Sequence, residues 1–172
     1  IGLLVEEDTP MIWRGPMVTQ ALEQLLTDTN WEDVDFLIID LPPGTGDVQL
    51  TLCQKIPLSG AVIVTTPQDI SLIDARKGLK MFEKVEVPVL GVVENMSTFI
   101  CPKCGTTESI FGEGGGEQLA TENDVKLLGE LPLQKSIREE MDKGTPTVSE
   151  NPESPTSMAY REIARKMAAT LS

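Results

Sequence analysis

The chain has 172 residues, with 40% hydrophobic and 24% charged residues, the composition of an ordinary globular protein. Fourteen basic residues stand against 27 acidic ones, a formal net charge of −13 that repels phosphate backbones and anionic membranes and argues against nucleic-acid or membrane partners. With no histidine, Ser-His-Asp and Cys-His catalysis and histidine-ligated metals are excluded, and metal chemistry falls to carboxylates and thiolates.

Ile1 to Val5 reads as a short apolar segment that begins without a cap or a preceding loop, and IGLLVEEDTP lacks the basic flank of a signal peptide. No apolar run reaches a membrane span, and three cysteines without an export signal argue against a disulfide framework, so a cytoplasmic location is expected. Trp13, Arg14 and Gly15 lead into Pro16. Val18, Leu22, Leu25 and Leu26 then recur at the spacing of an amphipathic helix.

Asp35 to Asp47 reads DFLIIDLPPGTGD. The apolar run Phe36 to Ile39, ended by Asp40 and by turn formers, predicts a buried strand that delivers a carboxylate to its carboxyl end, where ligands sit in open α/β sheets. Asp40 there suits a water-mediated Mg²⁺ beside a phosphate, while Pro42, Pro43, Gly44 and Gly46 shape the following loop. Asp47 stands at the N-cap position of a helix over Val48 to Ile56, with Cys53 among its apolar neighbours as a small buried hydrophobe.

Gly60 to Thr65 predicts a second strand, with Thr66, Pro67 and Gln68 as its exit loop. From Ser71, Leu72, Ala75, Leu79 and Phe82 mark one face of a long helix. A third strand, Val89 to Val93, ends in Glu94, Asn95 and Met96. This alternation predicts parallel strands with right-handed crossovers and helices on both faces, and it sets Asp40, Gln68 and Asn95 along one edge. An asparagine there can present a donor and an acceptor to a purine edge, or can satisfy a turn.

Cys101, Pro102, Lys103, Cys104 and Gly105 form a CxxC loop, compatible with a redox dithiol, half of a zinc site or part of an iron-sulfur site. Two thiolates do not complete a metal site, and two copies of the chain meeting at this loop would supply four. Phe111 to Gly116, FGEGGG, lacks the lysine of a phosphate-binding loop and reads as a mobile loop or a helix start. Val125 to Leu131 predicts a further strand running into Pro132, and Ile137 to Met141 a short helix stopped by Gly144. Thr145 to Pro155 reads as an extended surface linker before a last helix, Met158 to Leu171.

Taken together, WRGPM at Trp13 to Met17, DLPPGTGD at Asp40 to Asp47, VTTPQ at Val64 to Gln68, ENMS at Glu94 to Ser97, CPKCG at Cys101 to Gly105 and IFGEGGG at Ile110 to Gly116 resemble, in order, the Mrp family (ApbC-like) of iron-sulfur cluster carrier ATPases. That family is grouped with MinD and the nitrogenase iron protein among deviant Walker P-loop NTPases. The resemblance implies an α/β fold: a mostly parallel sheet flanked by helices on both faces, P-loop NTPase-like, in one domain over residues 1–172. It also implies a cluster-binding loop at 98–116 and a proline-rich linker at 145–157.

It further implies ATP, Mg²⁺ and a [4Fe-4S] cluster as cofactors, with Asp40 the Walker B acid near Mg²⁺. Pro43, Gly44, Thr45, Gly46 and Asp47 would be the switch that senses the γ-phosphate. Asn95 would contact adenine and Pro132 would lie in the loop closing over the base. Cys101 and Cys104 would bind a cluster bridging a homodimer that serves apo iron-sulfur proteins and cluster scaffold proteins. The chain departs from the family in having no glycine-rich Walker A loop with its lysines, so the resemblance implies the C-terminal part of a longer ATPase, inactive alone and without the N-terminal strand. Other classes that share these features are a MinD-like positioning ATPase without metal and a zinc-bridged structural dimer.

Overall fold

The computed structural model describes residues 15–171 apart from 42, 43 and 45. They fall into two compact units, one up to Pro57 and the other from Leu58 onward.

In the first unit, Gly15–Thr27 forms helix α1, as its apolar spacing predicts, and Asp47–Lys55 forms α2, against which α1 packs. Lys55 of α2 pairs with Glu23 of α1. The strand expected over Phe36 to Ile39 is not formed: residues 36–40 are irregular, and Phe36, Leu37 and Ile38 are exposed. Strand propensity becomes a strand only when a neighbouring chain completes the ladder, and no described residue does so here. Cys53 is buried as expected, and burial pushes its thiol pKa up.

The second unit is built on a sheet of Ala61–Thr65 (β1), Val89–Ile100 (β2), Thr107–Glu108 (β3) and Leu127–Leu133 (β4). β2 is central, parallel to β1 on one side and to β4 on the other, and its far end folds back on β3 as an antiparallel hairpin. Asp69–Lys84 (α3) and Gly115–Glu122 (α4) connect the parallel strands. Lys135–Asp142 (α5), Thr147–Glu150 (α6) and Pro155–Leu171 (α7) follow β4.

Successive strand residues point to opposite faces, and this shows which helix covers which side. Val93 packs with Leu128, Leu131 and Ile163 of α7, whereas its neighbour Glu94 bonds to α4. The sheet is therefore flanked by α7 on one face and by α3 and α4 on the other. Leu79, Val92, Leu119 and Leu128 are at most 1% exposed, a dry core of the size that burial of leucine and valine stabilises by roughly 2 kcal/mol each.

Three expectations change in this unit. Pro132, expected in a loop after the strand, lies within β4, which runs on to Leu133. β2 does not end near Val93 but runs on through Asn95 and Ser97 to Ile100, past Met96 with its left-handed φ of 57°. The stretch expected to be a surface linker, residues 145–157, instead contains α6 and the start of α7, with Thr147, Thr156 and Ser157 buried. Pro146 is the N-cap residue of α6 and Pro155 the first residue of α7, positions where a missing N–H costs nothing. The fully buried Ser157 hydroxyl lies 3.0 Å from the Thr147 carbonyl and 2.6 Å from that of Asn151, which ties the stretch down.

Candidate functional site

In the first unit Asp40 is exposed at the end of the irregular 36–40 segment. Pro43 and Thr45 lie outside the described residues. Gly44 and Gly46 precede α2, Gly46 is its N-cap residue, and Asp47, expected as the cap, is instead the first residue of the helix. The carboxamide of Gln49 lies beside both glycines: a β-carbon built on Gly46 would meet its Oε1 at 3.4 Å, and one on Gly44 its Nε2 at 4.0 Å. Gln49 is 4% exposed, a buried polar group on the first turn of α2 that sequence reading passed over. The accessible Asp40 carboxylate followed by glycine backbone has the donor chemistry of a Mg²⁺ that keeps most of its waters beside a phosphate. Among the described residues no group of three or more acidic, cysteine or histidine side chains forms a dedicated metal cage.

In the second unit the carboxyl edge of the parallel strands carries Gln68 and Asn95. Thr65 pairs with Glu94 and Asn95 with Leu131, so the β1 exit, Asn95 and Pro132 stand at neighbouring levels on three adjacent strands. Gln68 is the N-cap residue of α3, and beside it the Thr66 hydroxyl bonds that of Ser71 at 2.7 Å. Asn95 is half-buried, and its Oδ1 accepts the Met96 N–H at 2.9 Å. That bond orients the carboxamide and leaves its amino group as the donor to offer a ring acceptor. Ser97 donates to the Leu131 carbonyl at 3.2 Å, holding β2 to β4 next to Pro132 where the ladder between the two strands is irregular.

The CxxC pair lies at the tip of the β2–β3 hairpin. Phe99 pairs with Glu108 and Ile100 with Thr107; the Cys101 N–H donates to the Thr106 carbonyl, and the Gly105 N–H to the Cys101 carbonyl, each at 2.9 Å. Gly105 takes a left-handed φ of 71°, which lets the turn close within five residues. Cys101 is half-buried and Cys104 exposed; both are free thiols. The Cys104 pKa is lowered to about 7, first by the Thr106 hydroxyl, 3.2 Å from Sγ, then by the Thr106 N–H and by the Cys101 thiol beside it. A thiol half-ionised at neutral pH is a ready soft-metal ligand, and Thr106 is a contributor that the CxxC spacing alone does not reveal. Ile100 and Ile110 are exposed on the segments leading into and out of this tip.

Among the described residues no helix is long and apolar enough to cross a membrane. α7, the helix that a membrane-associating relative would use, packs on the sheet through Ile163 and Met167, and Lys166 donates to the Leu128 carbonyl at 2.8 Å.

Residues 1–168 match the family model described as ParA: NUBPL iron-transfer P-loop NTPase. The iron-sulfur cluster carrier protein of Escherichia coli K12 is 60% identical over 171 residues, covering 99% of this chain and 46% of the relative. The mouse iron-sulfur cluster transfer protein NUBPL is 54% identical over 167 residues, covering 97% of this chain and 52% of its own. The chain thus spans about half the length of these curated relatives. Among solved structures, a nucleotide-binding protein of Archaeoglobus fulgidus in complex with ADP aligns with a TM-score of 0.71 at 36% identity, over 84% of this chain and 58% of that one. The cell division ATPase MinD of Pyrococcus furiosus shares the fold, with a TM-score of 0.64 at 23% identity over 91% and 59% of the two chains.

Proposed function

The chain belongs to the NUBPL-type iron-transfer P-loop NTPases, and from that premise we propose that it carries an iron-sulfur cluster on Cys101 and Cys104 and hands it to apo-proteins under the control of a bound nucleotide. The observation that carries the reading is the course of β2. One continuous strand bears Asn95 at the carboxyl edge and runs directly into the hairpin whose tip presents both thiols. β2 continues from Asn95 to Ile100 and into the hairpin that carries Cys101, so a nucleotide and a cluster would sit at two points along one element.

The cargo would be a [4Fe-4S] cluster shared with a second copy of the chain. Each chain offers two thiolates, four are needed, and a two-fold axis through the exposed tip supplies them. Exposed Ile100 and Ile110 give such a contact an apolar flank. On the nucleotide side Asn95 and Pro132 would flank the adenine. Asp40 would hold Mg²⁺ through water, and residues 43–47, which include Pro43, Thr45 and Asp47, would respond to the terminal phosphate. Mg²⁺ would supply charge neutralisation there, while the chain's own contribution would be the backbone N–H groups at the start of α2. Free cysteines alone fit a reducing compartment, which supports a cytoplasmic site of action.

The test is iron and acid-labile sulfide per chain after anaerobic reconstitution, with mass in solution followed on the same sample. About two iron and two sulfide per chain, present only in a dimer and lost in Cys101→Ser, is the expected result. Undiminished iron and sulfide in Cys101→Ser, or zinc without sulfide in the unsubstituted chain, would overturn the reading.

A further inference from the structure

The carboxylate of Glu94 lies outside the functions described so far. It is 1% exposed, and its Oε2 accepts the backbone N–H of Gly116 at 2.5 Å across 22 residues of chain. Gly116 is the second residue of α4, whose own N-cap, Gly114, has no side chain to offer. The buried carboxylate of a neighbouring strand thus performs the capping that the local sequence leaves undone.

The glycines at this junction are there for close approach. A β-carbon on Gly116 would meet Glu94 Cβ at 2.8 Å, and one on Gly115 would meet Leu72 Cδ1 at 2.8 Å and the Pro67 carbonyl oxygen at 2.9 Å. The start of α4 is therefore pressed between β2, α3 and the β1 exit loop that ends at Gln68. Further along the helix, Glu122 pairs with Arg76 of α3 at 2.6 Å.

The chain between these contacts is the cysteine hairpin and its return. It leaves β2 after Ile100, turns at Cys101 to Cys104, and comes back at Gly116 to residue 94 of the same strand. We infer that Glu94 is a positioning residue for the cargo hairpin: its bond to Gly116 closes the loop that carries Cys101 and Cys104 and fixes its returning limb against the Pro67 and Asn95 edge. Glu94 touches neither cargo nor nucleotide, and it acts by tying the hairpin's return to the place where the nucleotide would be sensed. This inference rests on the proposal that Cys101 and Cys104 hold the cargo.

Glu94→Ala, Glu94→Gln and Gly116→Ala, with the unsubstituted chain, test it in two ways. The first is amide hydrogen exchange of residues 107–118 without metal; the second is the rate at which an iron chelator strips the reconstituted cluster. Loss of a buried carboxylate-to-amide bond should accelerate both by about tenfold in Glu94→Ala while the cooperative unfolding of the sheet is retained. Glu94→Gln, which keeps an acceptor oxygen, should stay near the unsubstituted chain in both. Gly116→Ala, whose methyl intrudes on Glu94, should copy Glu94→Ala and decides the matter alone if Glu94→Ala fails to fold.

Unchanged exchange over residues 107–118 overturns the inference, as does faster exchange without faster cluster loss. If the unsubstituted chain takes up no iron and sulfide, the cargo reading falls, and the metal-free exchange still supports or overturns the closure of the loop by Glu94.

Discussion

Cys104 should titrate far below an ordinary thiol, and Thr106→Val tests why. The Thr106 hydroxyl, 3.2 Å from Sγ, is the largest of the influences that lower the Cys104 pKa from 9.0 to about 7. At pH 7 a thiol with the lowered pKa is about half ionised, whereas one at its ordinary value is about one-hundredth ionised, a fifty-fold difference in thiolate. Thiolate reactivity falls as basicity falls, by about tenfold over two pKa units, so the net gain from the lowered pKa is about fivefold at neutral pH. Valine keeps the shape of threonine and removes the hydroxyl. The Thr106 N–H and the Cys101 thiol remain, so the midpoint should rise from about 7 without reaching 9. The assay is iodoacetamide alkylation of the metal-free chain from weakly acid to alkaline pH, with the label on Cys104 located by mass spectrometry. Buried Cys53, its thiol pushed up, serves as an unreactive internal reference. A midpoint near 9 in the unsubstituted chain, or one that Thr106→Val leaves in place, would refute the reasoning.

Gly91→Ala should be among the most damaging single changes in the sheet. A β-carbon there would clash with the Lys126 backbone carbonyl and come within 2.7 Å of Leu128 Cγ, and neither has room to retreat between β2 and β4. The expected loss is about 3 kcal/mol by urea denaturation, and a change under about 0.5 kcal/mol would contradict the packing described. Glu94 should leave a signature in the pH dependence of stability. Burial raises its pKa above 4.5, opposed by the Gly116 N–H and reinforced by Glu130 and Glu117. A carboxyl raised in the folded state binds its proton more tightly there, so its contribution is fully present below pH 4.5 and is lost as pH climbs through the folded pKa. Glu122 and Glu139 are shifted down and slope the other way, so the quantity to measure is the stability of the unsubstituted chain minus that of Glu94→Gln. That difference should fall with rising pH above 4.5, and a flat difference would refute the shift.

Elements with a complete local signal were legible in the sequence. α1, α3 and α7 form where helices were expected, β1 follows its β-branched run, and the CxxC pair stands in a loop, as read from the sequence. What escaped was decided by partners distant in sequence. Residues 94–98, ENMST, carry no alternation, yet they remain in β2: Glu94 pairs with Thr65 and Glu130, Asn95 with Leu131, the Ser97 hydroxyl bonds the Leu131 carbonyl, and the ladder resumes at Phe99. Prolines 146 and 155 look like loop formers on paper and serve as helix starts in space. FGEGGG could be read as a mobile loop or a helix start; the close approach to Pro67 and Glu94 that makes it a helix start appears only once β2 and α4 are side by side.

The 36–39 run shows where pattern and structure part company. Its residues have the size and branching of a buried strand, and nothing in their own chemistry distinguishes them from Val62 to Val64, which do form one. The difference is external. Val62 to Val64 have β2 to bond with in register, and each hydrogen bond made there also fixes the next residue's geometry. Phe36, Leu37 and Ile38 have no ladder among the described residues, and they stay irregular and exposed at 59%, 45% and 75%. An apolar row of this kind gains free energy from any parallel strand laid beside it, both by pairing its N–H and C=O groups and by removing apolar area from water. Asp40 ends that row, so pairing residues 36–39 with a neighbouring strand would also fix the backbone from which the Asp40 carboxylate projects.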